Sequence, residues 1–134
     1  MATTTATISL ASSDLLSDEL SLTTTATLTA AGNSTGLVGT GGLGRKKLAS
    51  GHARYTLFDG SDYTTDGAHK LYLKNTSLDP SEYFAIDINE ERMGKLYAGD
   101  WALFPWDANA TTNDIKIDPS ADDMVLEYML FTDE

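Results

Sequence analysis

The sequence predicts an all-β protein, an antiparallel β-sandwich or barrel of about eight strands with an extended Thr/Ala/Gly-rich N-terminal arm. Short segments that alternate apolar and polar residues recur about every ten positions, separated by turn residues. No window of 11 residues sustains the 3.6-residue period of a helix. The densest apolar stretch, GKLYAGDWALFPWD at positions 94–107, lies between such alternating segments. A chain of 134 residues suits one domain with its own core.

The first 31 residues are rich in Thr, Ser and Ala and poor in bulky side chains. Apolar residues alternate with polar ones at 8–10 and 20–28, which predicts two strands. Between them, residues 12–20 predict at most one helical turn. Because so few large side chains cannot form a core, this segment either pairs with the main sheet or extends onto a neighbouring subunit. The sequence leaves both possibilities open.

A glycine-rich segment follows at 32–44 and holds six of the eleven glycines. Gly39, Gly41 and Gly44 match G-x-G-x-x-G, but a phosphate-binding loop requires a helix after it, and the next residues alternate like a strand. We therefore interpret the segment as a flexible loop or a bend between strands. The predicted organisation is a low-charge arm and Gly-rich loop at 1–44 and a β-sandwich domain at 45–134.

Seven strands are predicted in the sandwich domain. The strand at 101–104 is expected to end at Pro105, which lacks an N–H group, and the last strand is nearly continuously apolar, which predicts burial on both faces. Short gaps between the last four strands favour hairpins and a meander. The predicted strands are 52–58, 70–74, 83–88 (with Asp87 outward), 92–97, 101–104, 115–117 (closed by Pro119) and 125–131.

Four aromatic residues of the apolar stretch are candidates for the core or for a subunit interface: Tyr97, Trp101, Phe104 and Trp106. Trp101 alternates with Leu103, which favours the core. In the alternative interpretation, the tyrosine and the two tryptophans form an exposed platform that stacks on sugar rings, because aromatic side chains offer a large flat surface.

The formal charge of −11 argues against nucleic-acid binding, which depends on bases that neutralise phosphates. Residues 1–44 contain no Lys or Arg. The one basic cluster, Arg45, Lys46 and Lys47, is predicted to contact an acidic protein partner, with the acidic loops facing solvent. The alternative interpretation of the acidic excess is solubility alone.

No catalytic signature is visible, so no catalytic residue, metal ligand or cofactor site is predicted, and the chain is not expected to be an enzyme. There is no cysteine, and the two histidines, His52 and His69, stand alone. The acidic loop 59–67 does not fit the spacing of a calcium loop. A pair of glycosidase carboxylates needs only the right separation, but nothing in the sequence indicates which two would converge. The N-terminus lacks the features of a secretory signal and no apolar run approaches about 18 residues, so we expect a chain that is soluble as made.

The segment 69–131 resembles a strand pattern of small virion structural proteins of tailed bacteriophages. The resemblance is carried by HKLYLKNTS, EYFAIDINEERMGKLYAGDWALFPWDA and DIKIDPSADDMVLEYMLF. It implies a protein similar to head-decoration (cement) proteins, tail or neck components, or fibre bases, which bind other proteins and catalyse nothing. It implies no metal, no cofactor and no residue-level binding site.

The resemblance and the composition together predict a homotrimeric decoration protein on the outer surface of a phage capsid, soluble in the host cytoplasm before assembly. Its partners would be the major capsid protein or other virion proteins, contacted through residues 1–44 and the basic cluster. Neither nucleic acid nor membrane is an expected partner. The alternatives are a tail or neck component, then a carbohydrate-binding module, and last an enzyme.

Overall fold

A computed structural model describes residues 3–29, 36–37, 39–51, 54–63, 67, 69–109 and 111–132. All strand pairs are antiparallel, which confirms the all-β prediction. The described residues form eleven strands and one short 3₁₀ turn at Gly60–Asp62, rather than about eight strands. The strands are β1 (Thr5–Ser12), β2 (Leu20–Thr27), β3 (Gly39–Thr40), β4 (Gly44–Leu48), β5 (Tyr55–Phe58), β6 (His69–Asn75), β7 (Tyr83–Ile88), β8 (Glu91–Tyr97), β9 (Trp101–Trp106), β10 (Ile115–Pro119) and β11 (Met124–Thr132).

Two sheets form an open sandwich rather than a closed barrel. The four-stranded sheet has the order β5-β10-β7-β8, and the five-stranded sheet has the order β3-β11-β6-β9, with β4 also paired to β11. The predicted meander is wrong, because among the described pairings none joins two successive strands from β8 to β11. Each short connection there crosses from one sheet to the other. A short gap therefore indicates proximity of two strands but does not distinguish a hairpin from a crossing between layers.

The core lies between the two sheets and is built by period-2 alternation. On β6 every second residue is buried, and β10 shows the same pattern. β11 also alternates between buried and partly exposed residues, so the predicted burial of both its faces is wrong. Its outward residues are nevertheless apolar at several positions, which produced the continuous run in the sequence. The fully buried apolar side chains include Leu71, Leu73, Phe84, Ile86, Ile115, Ile117 and Leu126.

Pro105 does not end its strand, which continues to Trp106. Among the described strands only β6 pairs with β9, so β9 is an edge strand. An edge strand accommodates a residue without an N–H group because only one side of it forms a ladder.

The glycine-rich segment contributes to the edge of the sandwich. β3 and β4 both pair with β11, at Phe131–Thr132 and at 124–128 respectively. The predicted boundary between 44 and 45 therefore falls inside this edge, since Gly44 is the first residue of β4. β1 and β2 form a separate two-stranded sheet. Residues 13–18 between them are bends and not the predicted helical turn, and the start of the strand predicted at 52–58 lies partly outside the described residues.

Candidate assembly surface

The two-stranded sheet, called the ribbon below, consists of β1, β2 and their connection at 13–19. Its register pairs Thr5 with Thr27 and Ser12 with Leu20. Because side chains alternate across a strand, one face is almost entirely hydroxylic and the other is mainly apolar. The hydroxylic face holds Thr5, Thr7, Ser9, Ala11, Ser21, Thr23, Thr25 and Thr27, and the apolar face holds Ala6, Ile8, Leu10, Ser12, Leu20, Leu22, Thr24 and Ala26.

The apolar face of the ribbon is largely open to solvent. Leu10 and Leu22 lie directly opposite each other and are 49% and 48% exposed. In the connection, Leu15 and Leu16 are 70% and 59% exposed. Neither ribbon strand pairs with a described strand of the sandwich. Since an isolated two-stranded hairpin is marginally stable in water, this face is suited to packing against a protein surface.

Two buried leucines lie at the base of the ribbon. Leu28 and Leu37 are only 6% and 3% exposed. The amide of Leu28 donates to the carbonyl of Thr4 at 2.9 Å, and the amide of Leu37 donates to the carbonyl of Leu28 at 3.2 Å. The ribbon thus starts from a buried, hydrogen-bonded root, and its exposed leucines lie farther along.

A second apolar surface lies on the outer side of the five-stranded sheet. We define the outer sheet face as the side chains that point away from the core on β4, β6, β9 and β11. The register places Leu103, Tyr72 and Met129 side by side across three strands. The same face carries four bases, Arg45, Lys47, Lys70 and Lys74, and one acid, Glu127. It is therefore a basic surface on an acidic protein.

The root of the ribbon and the outer sheet face meet in a groove of about 330 Å³. Ribbon residues form one wall and sheet residues form the other, and the lining is mainly apolar. The groove is lined by Thr4, Thr5, Ala6 and Leu28 on one side and by Leu43, Tyr72, Leu103, Glu127, Met129 and Phe131 on the other.

The predicted basic cluster is divided between two sides of β4. Arg45 forms an ion pair with Glu127 at 2.9 Å, and Lys47 pairs with Asp123 at 3.1 Å. Lys46 points the other way, with Nζ 5.4 Å from the centre of the Tyr55 ring. Three consecutive residues of a strand cannot share one face, so the cluster does not form a single patch. Its role in partner binding stays a prediction.

A short hydrogen-bond chain orders the polar part of the outer sheet face. The Arg45 guanidinium donates to Glu127 Oε2 at 2.9 Å, and the Tyr72 hydroxyl donates to Oε1 at 3.0 Å. These two donors, with Arg45 the stronger influence, hold the pKa of Glu127 below its ordinary value. Burial, followed by the hydrogen bond to the carboxylate, raises the pKa of Tyr72. The acid on this face thus stays ionised and occupied by its own neighbours.

The four predicted aromatic residues separate into two groups. Trp106 is buried and its Nε1 donates to the carbonyl of Asn113 at 2.7 Å, while Phe104 packs against the core. Tyr97 and Trp101 are 43% and 50% exposed, so the core interpretation is wrong for these two. Their place in a subunit interface stays a prediction.

The structure does not assemble the sugar-binding platform proposed from the same residues. Leu96 and Ala102 contact the core, so the adjacent Tyr97 and Trp101 point outward on opposite sides of the sandwich. Trp106 is in the interior. Three rings in three different environments provide no common stacking surface.

Sequence reasoning missed an ion-pair network on the outer side of the four-stranded sheet. Asp87 points outward as predicted but is completely buried, because two guanidinium groups cover it. Its Oδ1 lies 2.6 Å from Arg92 Nε, and its Oδ2 lies 3.7 Å from Arg54 Nε. Arg92 also reaches Asp118 at 3.3 Å. The pairing of β7 with β8 and β10, together with the turn that carries Arg54, brings these residues together, so no sequence signal identifies them.

It also missed a cleft of about 490 Å³ between the glycine-rich segment and three aromatic rings, those of Phe58, Tyr63 and Tyr128. Residues 41–43 of the glycine-rich segment lie between strands β3 and β4. The last glycine of the segment, Gly44, therefore opens a strand rather than the helix that a phosphate-binding loop needs. The lining consists of glycines, aromatic rings, Leu130 and the hydroxyl-bearing Thr40 and Thr132.

The described residues contain no cluster of three side chains suited to hold a metal ion. Within the same part of the chain, no helix has the length and apolarity to cross a membrane. Comparison of the sequence with protein-family models and curated proteins, and of the structure with solved structures, finds no match.

Proposed function

We propose that this chain is a non-enzymatic structural protein of a tailed-phage virion, namely a decoration (cement) protein that binds the outer surface of the head shell. The observation that carries the proposal is the ribbon, a β-hairpin whose base is buried and whose apolar face is exposed. Exposed apolar patches of this kind are typical of protein interaction sites.

In such a protein the sandwich and the ribbon have different roles. The sandwich has its own core, whereas the ribbon offers an extended surface that gains stability when it is covered. A protein that uses such a ribbon to contact neighbouring shell subunits ties them together and resists their separation. The partner in this proposal is the major capsid protein or another virion protein.

A tail or neck component of the same virion is the alternative within this class, because the same ribbon fits any protein neighbour. The carbohydrate-binding module receives less support, since the rings that would form its platform are dispersed over both outer faces and the core.

The proposal is tested by locating the protein on purified phage particles with gold-labelled antibodies raised against the folded chain. We expect label on the heads, and we expect particles assembled without the protein to release their genome at a lower temperature. Label on the neck or tail would replace the decoration proposal by the alternative. Particles that contain none of the protein would overturn both.

A further inference from the structure

We propose that the apolar face of the ribbon of one molecule docks on the outer sheet face of a second copy of the chain. This inference rests on the proposed function and identifies the partner of the ribbon within the assembled protein. The two surfaces are complementary in shape at the root of the ribbon and in charge. In addition, each surface exposes apolar side chains that the other would cover.

At the root, the start of the ribbon and the outer sheet face are the two walls of one groove. Thr5, Ala6 and Leu28 already line it together with Leu103 and Met129. The rest of the face continues from this groove along the same strands as far as Trp101, which is half exposed at the start of β9. A ribbon from a second molecule has the same small side chains and a few leucines as the wall that already faces this surface across the groove.

The charges of the two surfaces are opposite. The ribbon has no base and carries three acids in its connection, Asp14, Asp18 and Glu19. The outer sheet face has four bases against a single acid. Arg45 is paired with that acid and Lys47 is paired with Asp123 in the turn before β11, and the other two bases are Lys70 and Lys74. For a chain with a net charge of −11, most pairs of surfaces repel each other. This pairing is attractive and also steers the encounter.

The size of the contact determines the kind of assembly. Two strands of eight residues give a face about 26 Å long and about 10 Å wide, which buries on the order of 500 Å² counted over both molecules. A stable interface usually buries at least about 1,200 Å², so one ribbon contact alone is weak. Since ribbon and sheet face are different surfaces, the contact is heterologous and every molecule supplies one of each. Association therefore requires a closed arrangement in which each molecule is held twice, such as a ring.

The first test measures the mass of the full chain in solution by light scattering. We expect an oligomer of the 14.4 kDa chain whose mass falls to that of a single chain in Leu10→Glu/Leu22→Glu. The matched control is Ser9→Glu/Thr23→Glu, which adds the same charge one position away on the hydroxylic face and leaves the mass unchanged. The leucine variant should weaken association about a hundredfold or more, because each leucine that stays in water loses roughly tenfold in affinity.

The second test uses the absence of cysteine from the natural chain. Leu22→Cys and Lys74→Cys are made in separate chains, mixed, and treated with a flexible thiol-reactive cross-linker, so that only contacts between two molecules are captured. We expect a product of twice the chain mass. Lys95→Cys, which makes the same change on the four-stranded sheet, is the matched control and should give none.

The outcomes separate this inference from the proposed function. A full chain that stays monomeric, or cross-linking that is equal with Lys95→Cys, overturns the docking of ribbon on sheet. If such a monomer still labels phage heads, the ribbon binds a different virion protein and the proposed function stands. An oligomer with the expected cross-link that never occurs in particles supports the docking and overturns the proposed function.

Discussion

Replacing Asn75 by alanine should cost more stability than any other single amide change in the described chain, because its side chain joins the two sheets. Asn75 stands in a glycosylation tripeptide but is completely buried at the end of β6, so the folded chain has no room for a glycan there. Its Nδ2 donates to the carbonyl of Leu96 in the opposite sheet at 3.0 Å and to that of Glu82 at 3.3 Å. Its Oδ1 accepts from the amide of Ser77 at 2.9 Å.

The expected loss of free energy of unfolding is the sum of the contributions of these three hydrogen bonds and one desolvation cost. Each contributes about 1 kcal/mol, and the buried carbonyl of Leu96 that loses its donor adds a desolvation cost of about 1 kcal/mol. Asn75→Ala should therefore lower the free energy of unfolding by about 3–4 kcal/mol, which for a chain of this length lowers the melting temperature by about 10–15 °C. Urea unfolding followed by circular dichroism and by tryptophan fluorescence measures this loss.

Asn109→Ala is the matched control for that experiment. The Asn109 side chain accepts only short-range bonds from Thr111, at 3.0 and 3.1 Å, in an exposed turn. The same substitution there should cost less than about 1 kcal/mol. A loss at Asn75 no greater than at Asn109 would refute the claim that this amide ties the sheets together.

Three further predictions concern other parts of the sandwich. Asp87→Ala leaves two half-exposed guanidinium groups without their shared carboxylate, so it should lower the free energy of unfolding in urea by about 1–3 kcal/mol. The loss is smaller than for a fully buried ion pair because water can reach the guanidinium groups. An unchanged free energy of unfolding would contradict this account. Gly44→Ala brings a methyl group 2.8 Å from the Tyr128 ring and should lower the melting temperature through overpacking worth about 1–3 kcal/mol, whereas Gly41→Ala, which meets no atom within 4 Å, should not. The pKa of Glu127 is lowered in the folded chain, so the stabilisation by its carboxylate is complete above the ordinary carboxyl pKa of about 4.3 and is lost as the pH falls through the folded pKa. The urea concentration at the unfolding midpoint should therefore decrease when the pH is lowered below about 4.3. In Glu127→Gln this decrease should be smaller.

The fold class was predictable because the period of two is local information. Residues that alternate in the sequence also alternate in burial on β6 and β10, and the strand predicted at 83–88 has the observed bounds. The topology was not predictable in the same way. The turn at 98–100 is as short as a hairpin loop, but it connects β8 of one sheet to β9 of the other, and only side-chain packing across the layers decides between these two paths.

The candidate surface was only partly predictable for the same reason. The low charge and the small side chains of residues 1–31 correctly indicated strands that cannot form a core. That β1 and β2 would pair with each other, rather than with the sandwich, depends on the register that places Leu10 opposite Leu22. Trp101 was misjudged because alternation with Leu103 shows only that both share a face. On β9 that face is the outer one.

The composition of the ribbon has a physical consequence for assembly. Threonine favours the extended backbone, so the threonines of the hydroxylic face stabilise the two strands. Their hydroxyl groups are hydrated, so this face needs no core to cover it. The apolar face, with Leu10 and Leu22 half exposed, gains most of its stability only when another surface covers it. Local stability in such a chain is uneven, with the sandwich as the stable part and the ribbon as the part that is stabilised by binding. Substitutions on the ribbon should therefore change association without unfolding the sandwich, and protection of the ribbon amides from hydrogen exchange should rise with protein concentration while that of β6 stays constant.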